Sequence, residues 1–466
     1  MAQRIRSWLR PKDRRQHPGG TTFPPELWSE IISTYLTLKD IRALSECSNF
    51  LRNVSIPFLF QRFTMRPVMT YPDHWLGVVH RTLHRPPRSR IPNHIAQVIE
   101  TVAILRNKNP LQKDGTEMDR IFELLMNLPK LRHLGCDRVL FTQDRLNKLV
   151  QLPLKRLELS NCTMPTAPIT VKIAGTLEYV KLCFPAADPH RPRQGRTSLA
   201  SVLLRDSPNL TSLHLADNVI FPMMILVRPP SVTILNVPAQ YINDFNFVDV
   251  LMTCPSLKSI ALRCTHYTGR SVTGNLIFPP GALPNLERYG GPFDIFPRFT
   301  DNRPTVKEVY LICPRVLGSP STPIPSIPNS IESVIYNVQS PCPFFPLLHP
   351  SLESESLKRL TIISLEWSLE GLPQLLKSSN LAPLPNIRHL TLRAVYDVSQ
   401  PNSRSRLEGI LGDSLSALLE VYPNLEEAKI IPLPANWESE FSMLWRRSVS
   451  LTKWESSTYL RAIDTW

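Results

Sequence analysis

One short phrase recurs through most of this chain and constrains its fold more than any other feature. It places an apolar residue three positions before a second apolar residue, and usually a third two positions later, as in "LPKLRHLGC", "SPNLTSLHL" and "LPNIRHLTL". Positions two apart lie on one face of a β-strand. Proline commonly precedes the phrase, where it ends a helix and sets the turn that follows. Each occurrence therefore predicts a turn followed by a short strand with one buried face.

The phrase has thirteen leading positions, and Leu451 is a candidate for a further copy. The thirteen are Ile99, Leu131, Leu154, Leu177, Leu210, Val232, Leu257, Leu286, Val306, Ile331, Leu357, Ile387 and Leu425. Eleven steps separate residue 131 from residue 425, which is 294 residues later, so the mean step is about 27 residues. Stretches such as "EMDRIFELLMNL", "FNFVDVLMTC" and "GDSLSALLEVY" lie between copies and carry apolar residues at helical spacing. Repetition of strand, turn and helix predicts a solenoid.

This period and pattern resemble the leucine-rich repeat, whose units usually span about 20 to 29 residues. The resemblance implies an α/β horseshoe with the strands on its concave side. The chain departs from the family pattern, which expects Asn or Cys eight residues after the leader, because only Asn107, Cys162 and Asn218 comply. Step lengths also vary from 20 to 38 residues. We therefore expect an irregular horseshoe, and the alternative is a series of unrelated mixed domains.

Charge and composition limit the functional classes. The net charge is +14, and nine of these charges fall in residues 1–22 and 81–90, which leaves the predicted repeats only mildly basic. A nucleic-acid groove concentrates its charge on one folded face with stacking aromatics, so we do not expect nucleic acid to be the main partner. The longest apolar run, "VIFPMMILV", is half of the roughly 18 residues that span a bilayer, so we expect no membrane insertion.

Cysteine usage and motif content complete these limits. The eight cysteines form no C-x-x-C pair and no zinc spacing, so we predict reduced thiols, no metal site, and a location in the cytoplasm, the nucleus or both. The sequence also lacks G-x-x-x-x-G-K, H-E-x-x-H and G-x-S-x-G. We therefore predict no catalytic residues, no cofactor and no enzymatic activity.

A different pattern precedes the repeats. Residues 21–63 read "TTFPPELWSEIISTYLTLKDIRALSECSNFLRNVSIPFLFQRF" and predict three short helices. Pro24 and Pro25 suit the first turn of the first helix. Thr37 and Asp40 suit the start of the second helix. Pro57 is predicted to start the third turn or helix.

This segment resembles an F-box, a module of about 45 residues. The family pattern begins Leu-Pro-x-Glu-Leu/Ile, continues to an Asp-Leu pair and often ends in Pro-x-Leu-Phe. Here Phe23 replaces the first leucine and Ile41 replaces the leucine after Asp40. The resemblance implies binding to a Skp-type adaptor, which connects an F-box protein indirectly to the cullin and RING subunits of a ubiquitin ligase, while the repeats bind a protein substrate.

Size gives an independent reason to expect a partner for the segment. A piece of about 40 residues is too small to bury apolar residues that point in several directions. By the motif match, the predicted adaptor-contact residues are Phe23, Pro24, Leu27, Ile31, Ile32, Ile41, Leu44 and Cys47. Two alternatives remain for each residue: filling the internal core of the segment, or docking on the first repeat.

Strand alternation also predicts which residues read the substrate. Positions two, four and six after each leader point away from the core. The predicted substrate-contact residues are Arg156, Tyr179, Lys181, His214, Arg263, Arg288, Tyr310, Arg359, His389 and Arg393. Arg and Tyr dominate binding hot spots, and a mildly basic face suits an acidic or phosphorylated segment. The alternative is a solvated mixed face without defined selectivity.

Together these inferences predict an α/β chain in five parts: a disordered basic tail (1–22), an F-box (23–64), a linker (65–94), a leucine-rich-repeat domain (95–458) and a C-terminal tail (459–466). The predicted function is substrate recognition in a Skp–cullin–F-box ubiquitin ligase. Two other functions stay open: an F-box scaffold that acts outside ubiquitination, and a repeat protein whose basic segments bind nucleic acid or a membrane surface.

Overall fold

The structure is a computed structural model of the chain. It describes residues 24–36, 38–65, 81–83, 91, 93–105, 115–165, 176–184, 194–216, 231–243, 246–263, 276–301, 303–313, 326–338, 352, 354–378, 383–395, 403–433, 441–447 and 451–456. The predicted tails, most of the predicted linker, Phe23, Asn107 and Asn218 lie outside these residues. The chain divides into two compact units, Met1–Leu210 and Thr211–Trp466, so the division falls inside the predicted repeat domain.

The first unit contains seven helices and six strands in its described part. The helices are α1 Pro25–Tyr35, α2 Leu38–Ser45, α3 Asn49–Phe60, α4 Asn93–Ala96, α5 Gly115–Leu125, α6 Gln143–Gln151 and α7 Gln194–Arg205. The strands are β1 Arg62–Met65, β2 Arg81–Leu83, β3 Thr101–Leu105, β4 His133–Asp137, β5 Arg156–Ser160 and β6 Tyr179–Cys183. They form a parallel sheet in the order β2, β1, β3, β4, β5, β6.

The second unit continues the same pattern. Its strands are β7 Ser212–Leu215, β8 Ile234–Pro238, β9 Ser259–Arg263, β10 Arg288–Pro292, β11 Glu308–Cys313, β12 Ser333–Val338, β13 Arg359–Ser368, β14 His389–Val395, β15 Glu427–Leu433, β16 Phe441–Arg446 and β17 Leu451–Ser456. Its helices are α8 Phe247–Met252, α9 Phe296–Thr300, α10 Leu372–Ser378 and α11 Ser403–Val421. Two 3₁₀ turns cover Ala239–Asn243 and Leu369–Gly371.

Strands β7 to β15 pair in parallel in sequence order, whereas β16 and β17 add to β15 in antiparallel fashion. The prediction that Leu451 begins a further repeat is therefore wrong. Leu451 starts the second strand of a terminal hairpin, where Leu451 is opposite Arg446. A parallel repeat needs a crossover, but here the return is direct.

The burial of the leading residues confirms the repeat positions that the sequence predicts. All thirteen leading residues are at most 3% exposed. In β3 to β6 and in β12, burial alternates residue by residue, so one face of each strand is closed and the other is more accessible. Corresponding positions also pair in register, as in Thr101 with His133, and Arg359 with His389. The result is a mixed α/β, solenoid-like repeat with a long parallel sheet.

Side chains between the strands join successive repeats. Cys162 is buried, and its thiol donates to the carbonyl of Cys136 in the preceding repeat at 3.3 Å. This is the contact expected for Cys eight residues after a leader. In other repeats, the residue just before the leader donates the corresponding hydrogen bond to the preceding repeat. Asn285 donates to the Pro255 carbonyl (3.1 Å), and Asn424 donates to the Pro385 carbonyl (2.8 Å). The Pro–Asn pairs in the sequence are the signal for these bonds.

Burial changes the acidity of the thiols in the repeats. It raises the pKa of Cys162 to about 12 and that of Cys254 to about 11, because the charged thiolate loses its hydration. It also raises the pKa of Cys136 well above its ordinary value, with smaller contributions from Cys162 and Asp137. These three thiols are therefore protonated packing groups in the folded chain.

Candidate functional site

The first candidate site is the three-helix segment, residues 24–60. Pro24 and Pro25 begin α1, since the Pro24 carbonyl accepts from the backbone N–H of Leu27 at 3.1 Å. Ser48 caps α3 by accepting from the N–H of Leu51 at 3.1 Å. The prediction that Pro57 starts the third helix is wrong, because α3 begins at Asn49 and contains Pro57. The Ser48 cap sets the earlier start.

The segment has its own small core. Ile32, Ile41, Leu44 and Leu51 are buried together, and Trp28, Leu36, Val54, Phe58 and Leu59 pack around them. Three predicted adaptor-contact residues, Ile32, Ile41 and Leu44, thus lie in the core, which is one of the alternatives that the sequence left open. Their side chains are not accessible in this chain alone.

A second set of apolar side chains points outward. Leu27, Ile31 and Tyr35 are spaced by four residues along α1 and therefore share one face, here named the outer stripe. Leu27 is 44% exposed, Tyr35 is 66% exposed and Ile31 is half-buried. Phe50 on α3 is also 41% exposed. Three of the seven large hydrophobic residues that are exposed in the described part of the chain belong to this short segment.

The remaining predicted adaptor-contact residues differ in their accessibility. Pro24 and Cys47 are exposed, and Phe23 lies outside the described residues. Tyr35 and Phe50 were not assigned to partner contact from the sequence, although the helical spacing of Tyr35 from Leu27 and Ile31 is a signal for it. For Phe50 the signal is weaker, because its position depends on the cap at Ser48. The segment leads directly into the sheet, since the carbonyl of Gln61 accepts from the N–H groups of Glu100 and Thr101 at 3.0 Å.

The second candidate site is the strand face of the repeats, formed by the positions two, four and six after each leader. In the first unit, the predicted substrate-contact residues of this face contact one another. The guanidinium of Arg156 lies 4.0 Å from the ring centre of Tyr179 and 2.6 Å from a Glu158 carboxylate oxygen. The other oxygen of Glu158 lies 3.9 Å from the Lys181 ammonium group. This network sets one carboxylate between the two cations of β5 and β6, so it offsets part of the positive charge of the strand face.

In β7 to β9 of the second unit the strand face is largely buried. His214, Asn236 and Ser259 are each less than 9% exposed, although they occupy strand-face positions. Arg263 lies beside His214, with 3.1 Å between a guanidinium nitrogen and Nδ1. His214 was predicted to contact substrate, and its side chain is not accessible in this structure. The alternation of apolar and polar residues in the sequence does not show that both faces of these strands are buried.

Further along the second unit the strand face is open again. Arg288 and Arg359 are exposed, and Tyr310 and His389 are half-buried. Tyr310 accepts a hydrogen bond from the Asn337 amide at 2.6 Å. Arg393, also predicted to contact substrate, is buried. Of the ten predicted substrate-contact residues, Arg288, Arg359 and His389 are accessible and have no side-chain partner in the described part of the chain.

A row of charged residues flanks the strand face, one position after most of the leaders. Four pairs bridge neighbouring repeats at nitrogen-to-oxygen distances of 2.7–3.5 Å: Lys155–Glu178, Lys258–Glu287, Lys307–Glu332 and Arg388–Glu426. All are about half exposed, so each contributes little to stability. In each pair a cation of one repeat meets a carboxylate of the next repeat, so the four pairs themselves carry no net charge.

Other site classes find no support in the residues that the structure describes. These residues contain no group of three or more His, Cys, Asp and Glu that could hold a metal ion. None of their helices is both long enough and apolar enough to cross a membrane.

Comparisons with known proteins give little further information. No protein-family model matches the chain, and no curated protein matches it. One similar solved structure is a Bacteroides fragilis protein from the Northeast Structural Genomics Consortium, with 12% identity over 36% of this chain and 60% of that chain. Another is TLR13 in complex with ssRNA13, with 14% identity over 72% of this chain and 36% of that chain. Both have a TM-score of 0.25, and this chain covers less than two thirds of either.

Proposed function

We propose that the chain is the substrate-recognition subunit of a Skp–cullin–F-box ubiquitin ligase. In this proposal residues 23–64 are an F-box that binds a Skp-type adaptor, and the repeats are of the leucine-rich type and bind a protein substrate. The observation that carries the proposal is the outer stripe. Leu27, Ile31 and Tyr35 form an apolar helix face that its own small core leaves uncovered. An apolar face with this spacing suits the groove of a partner.

The resemblance of the segment to an F-box supplies the identity of that partner. The motif residue Pro24 is the N-cap of α1, Asp40 lies in α2 and Leu59 lies in α3, so the motif spans the whole three-helix segment. The segment then joins the repeat sheet through Gln61. The subunit has no catalytic task in this proposal. It holds a substrate near the ligase machinery, and proximity accelerates the transfer of ubiquitin by other subunits.

Co-purification with matched variants tests the proposal. The full-length chain is expressed with a Skp-type adaptor, together with a Leu27→Asp, Tyr35→Asp double variant. Burying a carboxylate against an apolar partner costs several kcal/mol, so the double variant is expected to lose adaptor capture at least 100-fold. Met252→Asp is the control, because Met252 is 45% exposed on α8, far along the sequence from the segment. This control is expected to capture the adaptor normally.

The same experiment separates the alternative functions. Adaptor capture without cullin favours a scaffold outside ubiquitination. Capture of neither, together with DNA binding that weakens steeply with salt, favours a nucleic-acid-binding protein. Unchanged adaptor capture by the double variant contradicts the assignment of the outer stripe.

A further inference from the structure

The strand face carries few accessible apolar side chains. Most of the positions two and four after a leader hold polar or charged residues. Ile335 of β12 is an exception, because it is aliphatic and only half-buried at the fourth position. A single accessible aliphatic residue is common on protein surfaces and needs no functional explanation. Ile335 differs from that case, because its neighbours on the adjacent strands form a defined surface of mixed chemistry.

Five residues of three adjacent strands form this surface, here named the mixed strand patch. They are Tyr310 of β11, Ser333 and Ile335 of β12, and Arg359 and Thr361 of β13. The parallel register sets Ile335 between Tyr310 and Thr361, and it sets Ser333 beside Arg359. Arg359 is exposed, and the other four residues are half-buried. The patch therefore combines apolar, aromatic, cationic and hydroxyl-bearing side chains within reach of one ligand.

Tyr310 is held in place on this patch. The side-chain amide of Asn337 donates a hydrogen bond to the hydroxyl group of Tyr310 at 2.6 Å. Asn337 lies two residues after Ile335 on the same face of β12, so the side chain of Tyr310 reaches from β11 towards β12. A side chain that is fixed before binding loses little conformational entropy when a ligand covers it. Tyr and Arg are also the residue types that dominate binding hot spots.

Arg359 gives the patch its charge. It makes no side-chain hydrogen bond or ion pair among the residues that the structure describes. The positions two, four and six after the leaders of β12, β13 and β14 hold no carboxylate. Glu308 of β11 is separated from Arg359 by a whole strand, and the carboxylate of Glu332 lies 3.5 Å from the ammonium group of Lys307. The guanidinium group of Arg359 is therefore complementary to an acidic group of a ligand.

We propose that the mixed strand patch binds an extended segment of the target protein in which an aliphatic residue and an Asp or Glu lie two positions apart. This inference rests on the proposed function, since it names the chemistry of the substrate that the repeats recognise. Strands lie about 4.8 Å apart and rise about 3.3 Å per residue, so the Cα atoms of Ile335 and Arg359 are about 8 Å apart. Residues two apart in an extended segment share one face and are separated by about 7 Å. Such a segment sets its aliphatic side chain on Ile335 and its carboxylate against Arg359 at the same time.

The patch favours such a segment over a nucleic acid. Proteins that bind single strands use several aromatic side chains, on which successive bases stack, in a groove that is positively charged. The mixed strand patch has one aromatic residue, Tyr310, and one cation, Arg359. Glu308 lies two residues before Tyr310 on the same face of β11, and its carboxylate disfavours a phosphate backbone.

Fluorescence anisotropy on the full-length chain tests this proposal. The probe is a labelled peptide of about twelve residues in which leucine and glutamate alternate at every second position, with serine between them. Two reference peptides replace every glutamate with glutamine, or every leucine with serine. The chain is expected to bind the probe about tenfold more tightly than either reference peptide. Binding of the probe is expected to weaken as salt rises, because Arg359 is exposed.

Two variants separate the charged contact from the apolar contact. Arg359→Ala is expected to raise the Kd for the probe about tenfold and to change the Kd for the glutamine peptide less than twofold, because that peptide has no carboxylate. Ile335→Ser is expected to raise the Kd for the probe about fivefold and to change the Kd for the peptide without leucine less than twofold. This pattern measures each pairwise contact directly. Equal losses with all three peptides would overturn the proposal.

Lys358→Ala and Ile277→Ser are the matched controls. Lys358 is exposed and has the same charge as Arg359, but it precedes β13 and belongs to the row that flanks the strand face. Ile277 is aliphatic and 75% exposed, and it precedes β10. Each control is expected to change the Kd for the probe less than twofold. A loss in a control as large as in the corresponding patch variant would overturn the proposal, because it would show a general effect of net charge or of exposed apolar surface.

Three other outcomes also overturn it: no preference for the probe over the two reference peptides, binding only when phosphoserine replaces glutamate, or tighter binding of a single-stranded oligonucleotide that depends on Arg359. The proposal and the proposed function fail separately. Leu27→Asp with Tyr35→Asp is expected to leave peptide binding intact, and Arg359→Ala is expected to leave adaptor capture intact.

Discussion

The three-helix segment and the repeat strands use apolar residues in different ways. Along the repeats, all thirteen leaders are essentially sealed from solvent. In residues 24–60, a core of four buried residues leaves the large apolar side chains of Leu27, Tyr35 and Phe50 exposed. A repeat buries its apolar face against its neighbours on both sides. The three short helices do not have a repeat on both sides. The comparison therefore teaches that apolar side chains stay exposed in the segment that lies outside the repeats.

The largest expected effect tests the sealed side of the repeats. Val334 and Ile335 are consecutive apolar residues of β12, with Val334 buried and Ile335 half-buried on the opposite face. Val334→Asp is expected to lower the free energy of unfolding by more than about 3 kcal/mol, because it buries a carboxylate. Ile335→Asp is expected to cost less than about 1 kcal/mol. Urea denaturation monitored by circular dichroism measures both free energies of unfolding. Equal losses in the two variants would contradict the difference between the buried and the accessible face of β12.

A smaller effect concerns the thiols. The raised pKa of Cys162 and Cys254 means that these thiols stay protonated in the folded chain while they ionise in the unfolded chain. The unfolded state therefore binds fewer protons above its own thiol pKa near 9, so stability falls as pH rises from about 9 to 11. Each of the two thiols is expected to cost about 1.4 kcal/mol at pH 10, since one pKa unit corresponds to 1.36 kcal/mol.

Chemical unfolding at pH 8 and pH 10 measures this loss, and the Cys162→Ala variant is expected to show less of it. Alkylation of the cysteines compares the three-helix segment with the repeats, because Cys47 of the segment is exposed whereas Cys136, Cys162 and Cys254 of the repeats are buried. An alkylating reagent is expected to modify Cys47 in the native chain and the three buried thiols only after unfolding. Rapid native modification of Cys162 would contradict the sealed packing of the repeats.

Much of the repeat architecture could be predicted from the sequence, because the apolar positions in each copy of the phrase indicate which residues are buried. The leaders from Ile99 to Leu425 are all buried as predicted. Leu451 could not be placed in this way, since the same apolar spacing fits an antiparallel hairpin. The role of Asn285 and Asn424 was also missed, because it depends on a carbonyl in the preceding repeat that only the three-dimensional stacking brings near.

The candidate sites were harder to predict, because accessibility depends on contacts distant in sequence. Alternation correctly separates the faces of β12, yet it cannot show that His214 and Arg393 are buried on the nominally open face. The pairing of Arg156 with Tyr179 follows from the register of adjacent repeats, so it could be anticipated once the register was known. In the three-helix segment, a helical stripe identified apolar residues but did not separate buried Ile32 from exposed Leu27.

The measurement that tests the central claim most directly is hydrogen–deuterium exchange of the full-length chain with and without a saturating Skp-type adaptor. If the outer stripe is the docking face, exchange is expected to slow in residues 25–60 and to stay unchanged in β13 to β15. Unchanged exchange throughout residues 25–60, with the adaptor present in excess, would contradict the claim that a partner covers the apolar surface left by the three helices.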